Sequence, residues 1–117
     1  MDQREGDEGL LGALRRFMTI RYSPRATRDI ESIREYLGKR SPQGALHVLT
    51  AIYAAVEFIR RHPEAAQATR IRGVRAKIVQ RYRFKIFYRV NVSDSVIEII
   101  HVRHTSRRLW SGEDAPD

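Results

Sequence analysis

Apolar residues along this chain switch from strict alternation to a helical period and back to alternation. Thr19 to Ser23 alternates, with Ile20 and Tyr22 on one face, which predicts a short strand. Ala26, Ile30, Ile33 and Leu37 then recur along one helical stripe, while Arg25, Arg28, Asp29, Glu31, Arg34 and Glu35 fill the rest. Ser23 is suited to cap that helix and Pro24 to open it; Gly38 is expected to close it in a left-handed conformation. Ser41-Pro42 repeats the start signal. Ala45, Val48, Leu49, Ile52, Ala55, Val56 and Ile59 form a wider stripe that ends before His62-Pro63. The link at 38–41 is short enough to predict an αα-hairpin.

After a loop through Pro63 and Gly73 the period returns to two. Val74 to Ile78 alternates, as does Arg83 to Val90 apart from Phe87 on the polar face, and Asn91 to Ser95 reads as a hairpin loop. The last strand, Val96 to Arg103, is apolar on both faces at Ile97, Ile99 and Ile100, so it belongs inside the sheet. The expected fold class is α+β with the order β-αα-βββ: an antiparallel-rich sheet with the helical hairpin packed on one face. Residues 18–117 form one domain, with 1–17 as an N-terminal extension, either disordered or a mis-assigned start ahead of Met18.

Charge narrows the partners. The 117 residues hold 22 Lys and Arg against 14 Asp and Glu, a net charge of +8. Such a surface favours acidic partners, nucleic acid, ribosome, anionic membrane or acidic protein alike. No acid interrupts the run between Arg70 and Arg89, so Arg75 and Lys77 on one strand, with Arg83, Lys85 and Arg89 on the next, are expected to form a basic patch. There is no cysteine and no apolar run of the ~20 residues a membrane span needs, so a cytoplasmic protein is expected, with no membrane partner.

The stretch EIIHVRHTSRRLW, residues 98–110, holds the candidate chemistry. Ile99, Ile100 and Val102 read as sheet core. His101 and His104 are three apart in a strand and point to opposite faces, so they cannot grip one metal, even with His47 in the chain. No metal or other cofactor is expected. A nuclease working through a 2′-hydroxyl needs a base, a cation and an acid, for which His101 or His104, Arg81, Arg103, Arg107 and Tyr82 are the available types. Arg103, Arg107 and Arg108 are expected to reach a target, with Trp110 holding that tail against the domain or stacking on the partner.

RYSPRATRDIESIREYL, FIRRHPEAA, FKIFYRV and the closing EIIHVRHTSRRLW together resemble the RelE/ParE superfamily of type II toxin–antitoxin toxins over residues 19–110. The resemblance implies one of two activities. RelE-like members are ribosome-dependent mRNA endonucleases; ParE-like members act on DNA gyrase. The RelE-like nucleases carry an arginine before the FKIFYRV-type strand, another after the last strand and a tyrosine a few residues later. Here those places fall near Arg81, Thr105 and Trp110, and only Arg81 matches, one position off. The ending His104-Thr-Ser-Arg107-Arg108 is more like that of the ParE group. The resemblance thus implies a gyrase-directed, plasmid-stabilisation toxin in a hetero-oligomer with a cognate antitoxin that wraps it with an acidic segment. Arg75, Lys77, Arg83, Lys85 and Arg89 are the expected antitoxin contacts. The alternatives are a ribosome-dependent ribonuclease using Arg81, His104 and Arg107, or an inactive relative retained for regulatory binding.

Overall fold

The computed structural model describes residues 18–106. Strand β1 (Thr19–Tyr22) leads into helices α1 (Pro24–Arg40) and α2 (Pro42–Arg61), followed by β2 (Gln67–Ala68), β3 (Arg75–Val79), β4 (Phe84–Asn91) and β5 (Val96–His104). The strands form one sheet in the order β1-β5-β4-β3-β2. β1 runs parallel to β5 and the remaining pairs are antiparallel. The α+β class and the interior place of β5 agree with the sequence. The two-residue β2 is an addition to it, formed where Gln67 and Ala68 pair with Ala76 and Arg75. Among the described residues no helix is long and apolar enough to cross a membrane.

Both helices start as their sequences predict. Ser23 Oγ accepts from the Ala26 N–H at 3.0 Å and Ser41 Oγ from the Gly44 N–H at 3.0 Å, each ahead of a proline in the first turn. Ser23 has a second task. Its hydroxyl donates to the Ile100 carbonyl at 2.8 Å and its N–H to Ile99 O at 2.9 Å, so the cap ties the start of α1 to β5. Gly38 does not close the first helix. That helix runs on to Arg40 and ends at Ser41, whose N–H donates to Leu37 O, because the same serine that caps α2 already terminates α1 in an extended conformation.

The stripes of both helices meet one face of the sheet. Ile30, Val48, Ile52, Val56 and Ile59 pack with Ile86, Tyr88, Ile97, Ile99 and Val102 in the main core. Each fully buried aliphatic there contributes about 2 kcal/mol of apolar burial. Ile99 and Val102 share that face although they are three positions apart. The reason is a bulge: Phe87 pairs with His101 but Tyr88 pairs with Ile99, which leaves Ile100 as an extra residue in β5. Ile100 turns to the opposite face, where it packs with Phe87 and Val74 under Ile71. Gly73, at φ +77°, makes the turn that folds Ile71 onto this small second core.

Candidate functional site

Past the end of β1, β5 continues as the border of the sheet, and α1 runs alongside it. Asp29 closes this exposed border. Its Oδ2 accepts from the Val102 N–H at 2.9 Å and lies 2.6 Å from His101 Nδ1, while Oδ1 accepts from Arg25 Nε at 3.3 Å. Burial opposes the charged carboxylate, but the hydrogen bonds from His101 and Val102 and the neighbouring positive charge outweigh it and hold its pKa below the usual aspartate range. His101 is 2 % exposed and its ring stacks on Phe87 at 5.9 Å. The pair resembles a catalytic base dyad in form, yet its imidazole is enclosed by the protein. Asp29 borders the stripe of α1 one position before Ile30, and that adjacency is the only sequence signal for its role.

Beside this pair lies a cleft of about 750 Å³ between the helical hairpin and the end of the sheet. Ile33, Tyr36 and Leu37 of α1 line it together with Tyr82, Phe84, Val102, Arg103 and His104. The structure thus brings together three residues named from the sequence, Tyr82, Arg103 and His104. The Ser106 N–H donates to His104 Nδ1 at 3.2 Å, and Ser106 Oγ lies 2.7 Å from the same nitrogen. A backbone amide can only donate, so Nδ1 is the acceptor in this contact. Phe84 meets the His104 ring edge-on at 5.3 Å.

Gln80–Tyr82 form a single 3₁₀ turn that leads into β4, and Arg83 follows it at φ 59°, ψ 40°. A side chain in that left-handed conformation costs about 1 kcal/mol that a glycine would not. The Arg83 carbonyl accepts from the Thr105 N–H at 2.7 Å, which fixes the turn against the end of β5. Arg81 and Arg83 are both exposed, and the Arg81 guanidinium lies over the Tyr82 ring at 5.5 Å.

The single basic patch expected from the sequence divides between two faces. In register, Arg75 pairs with Tyr88 and Lys77 with Ile86, so both point to the helix-covered side, whereas Lys85 pairs with Ile78 and Arg103 on the open side. Residues directly opposite in an antiparallel pair share a face, and alternation read within each strand cannot reveal which faces coincide. Arg75 donates to Ala66 O at 2.8 Å, and the Lys77 ammonium sits 4.5 Å over the Phe58 ring. Arg83 precedes β4 and belongs to the turn. Lys85 and Arg89 do share the open face, and Arg21 and Glu98 join them through the pairings Arg21 with Glu98 and Glu98 with Arg89. His47 is exposed on α2. Arg107, Arg108, Trp110 and the extension 1–17 lie outside the described residues.

Comparison with known proteins decides between the families that share this architecture. The model of the family described as "ParE toxin of type II toxin-antitoxin system, parDE" matches residues 20–109. The chain belongs to the ParE toxin family. A Sinorhizobium fredii protein bearing the name toxin Y4kP is 27% identical to this ParE-family chain over 82 residues, covering 70% of it and 85% of the relative. Among solved structures, a chain of the chromosomal ParDE toxin–antitoxin system from P. aeruginosa superimposes with a TM-score of 0.68 at 21% identity, covering 76% of this chain and 97% of that one. A chain of the RelBE2 toxin–antitoxin complex from Mycobacterium tuberculosis gives a TM-score of 0.53 at 20% identity, covering 77% and 93%. At those identities the structures establish the fold, and the family match establishes that this is a ParE-family toxin.

Proposed function

We propose that this toxin arrests growth by binding DNA gyrase rather than by cutting RNA, and that a cognate antitoxin with an acidic segment neutralises it. The observation that carries the reading is the engagement of both candidate base histidines. His101 is buried against Asp29 and Phe87, and the accepting nitrogen of His104 is occupied by Ser106. A histidine acting as the base of a nuclease needs an accessible ring nitrogen that can take a proton from the substrate. Arg83, Lys85 and Arg89 are the proposed antitoxin contacts, since Arg75 and Lys77 serve the fold. The tail from Arg103 through Arg107, Arg108 and Trp110 is the proposed contact with gyrase.

Induction of the full chain in a bacterial host without antitoxin tests this. Growth arrest with filamentation and a DNA-damage response is the expected outcome. Rapid loss of translation, with mRNA cut only in the presence of ribosomes, would replace gyrase by the ribosome and make Arg81, His104 and Arg107 the residues to mutate. Absence of any arrest would assign the chain a regulatory binding role instead.

A further inference from the structure

The main core does not cover itself at the cleft. Ile33, Leu37, Tyr82 and Phe84 pack against its buried residues, yet each is only half-buried, because its other side lines the cleft. Tyr36 completes that wall at 58% exposure, with the Arg40 guanidinium 3.9 Å over its ring. Arg81 and Arg83 are exposed where the turn before β4 borders it. The cleft therefore offers an apolar wall with cations along its rim, and the described residues leave that wall uncovered. A contiguous apolar surface rimmed by polar groups marks a docking site.

The chain itself supplies the occupant. Ser106, the last described residue, lines the cleft, and its Oγ lies 2.7 Å from His104 Nδ1. The Thr105 N–H donates to Arg83 O at 2.7 Å. These bonds turn the chain out of the β5 direction and leave it on the helix side of the sheet, beside the wall. Leu109 and Trp110 follow three and four positions later, no farther than about 14 Å from Ser106 along a fully extended chain. Beyond them come Glu113, Asp114 and Asp117. Order and chemistry match: an apolar pair within reach of the apolar wall, then acids for the cationic rim. A second molecule would have to displace a segment that its short tether holds at high effective concentration.

From this match we propose that Leu109 and Trp110 dock in the toxin's own cleft, against Tyr36, Leu37 and Phe84. Docking leaves Arg107 and Arg108, which lie between the turn and the apolar pair, in a fixed position at the cleft mouth. The inference concerns the free toxin and goes beyond the choice of target. Trp110 is the prop that presents the two arginines, whether gyrase or the ribosome receives them.

Trp110 is the chain's single tryptophan, so intrinsic fluorescence of the purified full chain reads its surroundings directly. An indole docked about 90% of the time should emit to the blue of N-acetyltryptophanamide and be quenched by acrylamide about tenfold less. Tyr36→Asp, at an exposed position of the wall, should send the emission to the red and recover most of that quenching. Tyr36→Ala suits the helix better than tyrosine; it should recover part of the quenching and keeps the test decisive if the Asp variant fails to fold. Leu46→Asp, at 62% exposure on α2 and outside the cleft lining, should change neither reading. Both readings should be independent of protein concentration. A wild-type indole as exposed as the free compound overturns the proposal. So does protection that neither Tyr36 substitution relieves, or that Leu46→Asp relieves equally. Protection that disappears on dilution also overturns it, and would give the cleft to the tail of a second copy.

Discussion

The two faces of the sheet are built from the same strands and hold opposite kinds of surface. Under the helices, Ile86, Tyr88, Ile97 and Ile99 are fully buried, and the cations that reach this side are anchored by the fold: Arg75 on a carbonyl, Lys77 over an aromatic ring. On the other side Val74, Phe87 and Ile100 form a smaller core beneath Ile71, and Arg21, Lys85 and Arg89 lie on that same face. None of those three cations forms an ion pair with a described residue. The ion pairs of Glu31 and Glu57 lie within the helices. A cation's role in this molecule therefore differs with the face it occupies: Arg75 and Lys77 are anchored by the fold, whereas Arg21, Lys85 and Arg89 stand without an ion pair among the described residues.

The largest expected effect follows from the difference in depth. Ile86→Ala, on the helix-covered face at 0% exposure, should cost about 3 kcal/mol, since the wall around it is fixed by two helices. Ile71→Ala, which thins the cover of the second core, should cost about 1 kcal/mol. Urea titration of both variants checks the ratio; equal losses would mean that the second core is as important to folding as the first.

Asp29 is the next test, because it joins α1 to the border where neither face protects β5. Asp29→Asn removes the charge that holds His101 and the Val102 N–H, and should cost about 2 kcal/mol at neutral pH. The sign with pH follows from the lowered pKa of Asp29. Its folded value lies below the ordinary 3.8, so its stabilisation is fully present above that pH and disappears as pH falls through the folded value. Wild-type stability should drop across that acid window and the Asn variant should lose this component of the slope. Superimposable acid limbs in denaturation at stepped pH would remove Asp29 as the cause.

These elements also mark the limit of what a reader of the sequence could see. Caps at Ser23 and Ser41, both helical stripes and the interior strand at Ile97 and Ile99 follow from local chemistry, because each depends on neighbours within a few residues. The bulge at Ile100 and the division of the basic set depend on pairing between strands. Strict alternation after Ile99 would put Val102 with Ile100 on one face; the extra residue instead returns Val102 and His104 to the helix side, where they line the cleft. Asp29 finds His101 across 72 positions, and no local pattern records such a partner.

The division of cations predicts a separation of phenotypes. Joint reversal, Lys85→Glu with Arg89→Glu, should leave stability within about 0.5 kcal/mol, since both sit on the open face. It should reduce antitoxin affinity by about tenfold, mostly through slower association. Arg75→Ala should do the reverse, lowering stability by about 1 kcal/mol through loss of the bond to Ala66 O while leaving affinity near wild type. Co-purification and thermal melts of the two variants read both quantities. Antitoxin affinity unchanged by the double reversal would falsify the contact assigned to Lys85 and Arg89.

Glu98→Gln should have the smallest effect on the fold and sharpens the contrast most. Glu98 is the acid that register sets between Arg21 on β1 and Arg89 on β4. It makes no ion pair with a described residue, so it acts on them as a nearby charge and not through a formed bridge. Its neutralisation leaves the open face more positive and the helix-covered face untouched. The cross-strand attraction lost is worth about 0.5 kcal/mol, a fall of about 3 °C in the thermal midpoint. Binding should move the other way. An acidic antitoxin should associate faster with the Gln variant at low salt, and the gain should fade as screening shortens the reach of the face. A stability loss with no gain in association rate would mean that Glu98 belongs to the fold alone and that the partner meets the toxin elsewhere.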